Sequence, residues 1–169
     1  MVDREAAIKG QTCVVNDQPA TLKPRYFEDF PVGSVFEFGS ITVTEPDIIS
    51  FARQFDPQTM HTDPVAAANG PTGGLIASGW HTIALMMRMY AEHILPTDGL
   101  PSPGVDEVRW HHPVRPGDTL RLRVTIESAR VSQSKPDRGI IRPFSEVLNQ
   151  HDEVVLSMRP INLIRRRPA

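Results

Sequence analysis

The sequence predicts an α+β fold, with one buried helix lying on an antiparallel sheet. Two observations predict it. The apolar pattern runs as one strand, two helices and then four strands, and such segregation of helices from strands implies an antiparallel sheet rather than alternating crossover units. The second helix is also apolar around most of its circumference, so it needs cover on most sides. The chain has 169 residues, 40% hydrophobic and 22% charged, a length and balance that suit one domain with its own core.

The elements follow in order. Residues 1–24 are mixed and polar with no clear period, and read as a flexible arm preceding one domain over residues 25–165. Pro31-Val32-Gly33-Ser34 is a turn, and Val35, Phe36, Phe38, Ile41 and Val43 mark a strand over 35–44. Thr44-Glu45-Pro46-Asp47 is a helix start, with Thr44 as N-cap and Pro46 and two acids in the first turn. Ile48, Ile49, Phe51, Ala52 and Phe55 continue at helical spacing, and Pro57 stops the helix near Asp56. Prolines and glycines break residues 57–78, with room for a short helical turn over 64–68. A helix from Gly79 to about Ile94 ends before Pro96. Strands are expected over 105–114, 119–131, 139–149 and 153–163, joined by turns at Arg115-Pro116-Gly117-Asp118 and Asn149-Gln150-His151-Asp152.

Composition narrows the function. A net charge of -2 gives no general attraction to nucleic acid or to an anionic membrane. No stretch of roughly 18 apolar residues is present, and the N-terminal residues lack the apolar run of a secretory signal. The single cysteine, Cys13, fits a reducing compartment, and cytoplasm is the expected location. The histidines form no convincing metal-ligand spacing, so no metal is expected. Arg165-Arg166-Arg167 reads as a solvated tail.

The chemistry concentrates in Phe55-Asp56-Pro57-Gln58-Thr59-Met60-His61-Thr62-Asp63-Pro64. An acid and an imidazole stand five residues apart, just past a helix end, in a loop stiffened by prolines. Adding water to a polarised double bond needs a base for the water, a proton for the carbon beside the carbonyl, and donors for the oxygen that gains charge. Asp56 can be the base, and His61 can hold the water and share in the proton movement. Ile76-Ala77-Ser78-Gly79-Trp80 leads into the apolar helix, whose start offers free N–H groups and the positive end of the dipole. Gly79, Ser78 and Gln58 are therefore the candidates for oxyanion and substrate binding.

These segments resemble the hydratase motif of the MaoC-like dehydratases, which include the (R)-specific enoyl-CoA hydratases. That pattern reads Asp, any residue, Asn, Pro, an aliphatic residue and His, usually followed after one residue by Asp-Pro. The chain matches it at Asp56, His61, Asp63 and Pro64, carries Gln58 and Thr59 in place of Asn and Pro, and has Gly79 at the expected 18-residue step. Ser78 stands where a histidine often precedes that glycine. Phe27–Gly33 and Pro113–Asp118 look like the family's framing segments. The resemblance implies a hot-dog fold, a long helix wrapped by five or more antiparallel strands, assembled as a homodimer or a multiple of it through sheet edges. It implies Asp56 and His61 as the catalytic pair, the Gly79 N–H as oxyanion donor, and hydration of a trans-2-enoyl-CoA to a (3R)-hydroxyacyl-CoA. Coenzyme A enters as part of the substrate, and no cofactor is required. The alternatives are an acyl-CoA thioesterase and a non-catalytic acyl-thioester-binding subunit.

Overall fold

Alternation along the long strands makes one face of the sheet apolar. Leu120, Leu122, Val124 and Ile126 are buried, with less buried residues between them. Ile141 and Val147 do the same one strand over, and Leu156 and Ile164 on the next. The computed structural model describes residues 12–14, 26–96 and 98–168.

Among the described residues six strands form one sheet: β1 (Thr12–Val14), β2 (Val35–Thr42), β3 (Gly104–Trp110), β4 (Thr119–Val131), β5 (Arg138–Leu148) and β6 (Val154–Arg165). Their order is β1-β2-β4-β5-β6-β3. The β1–β2 pair is parallel, and every other pairing is antiparallel. Four helices lie between β2 and β3: α1 (Glu45–Phe55), α2 (Thr59–Thr62), α3 (Pro64–Ala68) and α4 (Gly79–His93). The expected α+β class and the helix-on-sheet layout are both present.

Several boundaries differ from the sequence reading. β2 stops at Thr42 because Thr44 leaves the sheet to cap α1, its side chain accepting from the Asp47 N–H. β3 stops at Trp110, four residues early, because the chain turns away and the Val114 carbonyl accepts from Ala77 N–H instead. α2 was not anticipated, since a four-residue helix has no period to read. Of the expected N-terminal arm, Thr12–Val14 pairs with β2, and the rest of 1–24 lies outside the described residues. The C-terminal arginines are exposed, as expected of a solvated segment, and are also ion-paired: Arg165 faces Asp98, Arg166 Glu28 and Arg167 Asp29.

α4 buries one face only. His81, Thr82, Met86, Met89 and Tyr90 are buried, whereas Trp80 is 62% and Met87 44% exposed. The sheet covers a single side of the helix, so part of its apolar circumference stays uncovered. The Tyr90 hydroxyl donates to Asn162 Oδ1 at 3.2 Å and ties the helix to β6. Gly39 bulges β2 at φ +88°, and a Cβ there would run into the Met89 side chain, so the close approach of α4 requires glycine.

The α1–α4 contact carries a buried imidazole. His81 stacks on Phe51 at 4.6 Å with a 10° interplanar angle, and its buried Nδ1 has no hydrogen-bond partner among the described residues. Burial pushes the His81 pKa below its ordinary value, with Asp47 opposing. Below about pH 6.5 the unfolded chain binds a proton that the folded chain refuses. Stability is therefore flat above that pH, falls as pH drops through it, and levels off below the folded-state pKa. His81→Phe should keep the stack and shrink the fall in melting temperature between pH 7.5 and 5.5. An equal fall in variant and parent would show that His81 does not carry this dependence.

Candidate active site

α1 ends where Pro57 forbids another helical turn, which places Asp56 at the C-cap with φ −153° and ψ 70°. The Asp56 N–H still donates to the Ala52 carbonyl at 2.8 Å, so the residue is anchored to the helix while its side chain leaves the axis. α2 then turns the chain and presents His61, which is 4% exposed. Asp63, the acid of the Asp-Pro step, is occupied elsewhere: its Oδ1 accepts from the N–H groups of Val65 and Ala66 and caps α3.

The imidazole is fixed by the backbone. His61 Nδ1 lies 2.8 Å from the Ile76 carbonyl oxygen. A carbonyl can only accept, so Nδ1 carries the proton, and in the neutral ring Nε2 presents a lone pair. Nε2 stands 3.6 Å from Asp56 Oδ2, too far for a direct hydrogen bond. With the ring neutral, both atoms are acceptors that line the same cavity, where a donor beside them can reach both.

The carboxylate is held by side chains. Ser78 Oγ donates to Asp56 Oδ2 at 2.6 Å, and Gln58 Nε2 donates to Oδ1 at 2.8 Å. The Ser78 hydroxyl, and after it the Gln58 amide, hold the Asp56 carboxyl below the usual carboxylate range. Asp56 is therefore ionised at neutral pH, ready to take a proton.

Ser78 is also the N-cap of α4, its Oγ accepting from the Trp80 N–H at 3.3 Å. Gly79 is the first helical residue, and its own N–H meets no acceptor among the described residues. That free donor sits at the positive end of a 15-residue helix. The residues singled out from sequence thus converge, though with divided tasks. Asp56, His61, Gly79 and Gln58 line one cavity of about 430 Å³, while Ser78 is fully buried behind Asp56 and serves the carboxylate.

Among the cavity residues that the sequence reading gave no site role, two are indoles. Trp110, at the end of β3, donates from Nε1 to the Gly79 carbonyl at 3.0 Å. Trp80 meets it edge-on, with ring centroids 6.0 Å apart, and both indoles line the cavity. Trp110 fell within the expected strand over 105–114 and was not singled out, and no local spacing ties it to Gly79, 31 residues earlier.

The arrangement joins an ionised acid, an imidazole lone pair and a free backbone donor around a cavity of small-ligand size. It can orient and deprotonate a water, and it can stabilise negative charge at a substrate oxygen.

Comparison with known proteins agrees with this architecture. The chain is 30% identical over 140 residues to the uncharacterised protein YdeM of Bacillus subtilis, an alignment covering 82% of this chain and 98% of YdeM. It is 36% identical over 91 residues to the 3-hydroxyacyl-thioester dehydratase Z of Mycobacterium tuberculosis, covering 51% of this chain and 59% of that protein. The crystal structure of a MaoC-like dehydratase from Rhodospirillum rubrum superposes with a TM-score of 0.80 at 38% identity, over 86% of this chain and 99% of that one. Residues 29–140 match the family model of the MaoC like domain, and with its helix lying on an antiparallel sheet the chain belongs to that hot-dog family.

Proposed function

We propose that the protein hydrates a trans-2-enoyl-CoA reversibly to a (3R)-hydroxyacyl-CoA. The carrying observation is the pair of acceptors, Asp56 Oδ2 and His61 Nε2, 3.6 Å apart on the wall of a cavity that also holds the free Gly79 N–H. A water beside them gives one hydrogen to each. Ionised Asp56 takes a proton from it as the oxygen attacks the β carbon, and His61 holds the water in line. The electron pair of the double bond moves toward the carbonyl, and the thioester oxygen gains charge at the Gly79 N–H. The proton ends on the α carbon, with His61 sharing in its return, so the net change is one water added. Coenzyme A as carrier and the (R) product rest on membership of the family.

The same pair could direct water at the thioester carbonyl, which would release free thiol. Asp56→Asn separates the cases when hydration and thiol release are followed together on one enoyl-CoA. The substitution keeps size and hydrogen-bonding reach but removes the base. Hydration should fall by about 10²–10⁴-fold in kcat with the melting temperature little changed. Near-parental hydration in Asp56→Asn, or thiol release as the main reaction of the parent, would refute this assignment.

We also propose a two-fold homodimer. Among the described residues β3 is the last strand of the sheet, so one of its edges offers N–H and C=O groups with no strand beside them, and Val105 and Trp110 on it are 50% and 48% exposed. Pairing that edge with its own copy closes the sheet and covers the apolar residues, in the commonest closed symmetry. No helix among the described residues is long and apolar enough to cross a membrane. Light scattering over a dilution series should give a dimer or a multiple of it, and a monomer persisting at micromolar concentration would rule this out.

A further inference from the structure

We infer that Trp110 is a positioning residue for the base Asp56, acting through a relay of three hydrogen bonds. The inference rests on the reading of Asp56 as the working carboxylate. The indole Nε1–H donates to the Gly79 carbonyl at 3.0 Å. The same peptide unit ends in the Trp80 N–H, which donates to Ser78 Oγ at 3.3 Å. Ser78 Oγ in turn donates to Asp56 Oδ2 at 2.6 Å. Every donor in this chain points toward the carboxylate, so each bond polarises the next and strengthens its hold on the negative charge.

The sequence is built around this contact. A Cβ at position 79 would lie 2.5 Å from Trp110 Nε1 and 2.7 Å from Cε2. Glycine at 79 is therefore demanded by the indole, independently of any substrate. The relay also fixes the Gly79–Trp80 peptide at both ends, its carbonyl by Trp110 and its N–H by Ser78. The preceding N–H, on Gly79 itself, is set relative to that fixed unit by the helical backbone conformation of Gly79. One side chain on the edge strand thus steadies both the base and the oxyanion donor.

The test replaces Trp110 with Phe, which keeps a flat ring against Gly79 and removes the donor. Trp110→Leu is the second donor-free variant, for use if the first does not fold. The first readout is the Asp56 carboxyl titration, followed by NMR on carboxyl-labelled protein and assigned by its loss in Asp56→Asn. We expect the Asp56 pKa to move up by about 0.5 in the donor-free variant. In a Ser78→Ala background the same change at 110 should move it no further, because the relay is already cut. The second readout is hydration of an enoyl-CoA, with kcat about 3–10-fold lower and KM within about twofold. An unchanged Asp56 titration would overturn the relay, and so would a full additional effect in the Ser78→Ala background. Titration needs no substrate, so a parent protein that hydrates nothing would defeat the hydratase reading while leaving this one standing.

Discussion

The site depends on a single buried hydroxyl. Ser78 Oγ accepts from the Trp80 N–H and donates to Asp56 Oδ2, so the atom that starts α4 also orients the carboxylate at the end of α1. Two helices 22 residues apart in sequence are thereby locked at their facing ends. A hydroxyl suits this post because it donates and accepts at once, as neither a carboxylate nor an ammonium does. Its complete burial removes competition from water and strengthens both bonds.

Around that junction the chain uses backbone wherever geometry has to be stiff. The strap over residues 76–77 is stitched on both sides, with the Ile76 N–H donating to the Met60 carbonyl and Ala77 N–H to the Val114 carbonyl. Arg115 reinforces the same region by donating to the Thr72 carbonyl at 2.7 Å. The sheet provides the platform, and its outer face carries ion pairs such as Arg159 with Glu107 and Glu127. Those pairs are a third or more exposed and add little to stability, while the apolar inner face supplies the core.

Much of this was legible in the sequence because its signals are local. The N-cap at Thr44, the stop at Pro57 and the Pro64–Ala68 turn are set by neighbours within four residues, and all three stand in the structure. β4 fell on its expected bounds, and the strict alternation of its first eight residues leaves no other register there. The Asp56–His61 pair was visible for the same reason. What stayed hidden depends on contacts far apart in the chain. The inward turn of Ser78 requires knowing that α1 and α4 meet end to end, and the contact of Trp110 with Gly79 requires knowing that β3 passes over the start of α4. The exposed side of α4 was also misread, since circumferential apolarity does not say how much of it the same chain covers.

The two members of the proposed acid–base pair face mutation very differently. His61 is steered by the carbonyl of Ile76, a group that every amino acid supplies, so no side-chain replacement at 76 can delete it. Asp56 is steered by the side chains of Ser78 and Gln58, each of which one substitution can change. The hold on the imidazole is therefore insensitive to exchange of side chains at 76, whereas the hold on the carboxylate changes with the residues at 58 and 78. Exchanges at 58 and 78 would retune the acidity of the Asp56 carboxyl while the histidine keeps its aim.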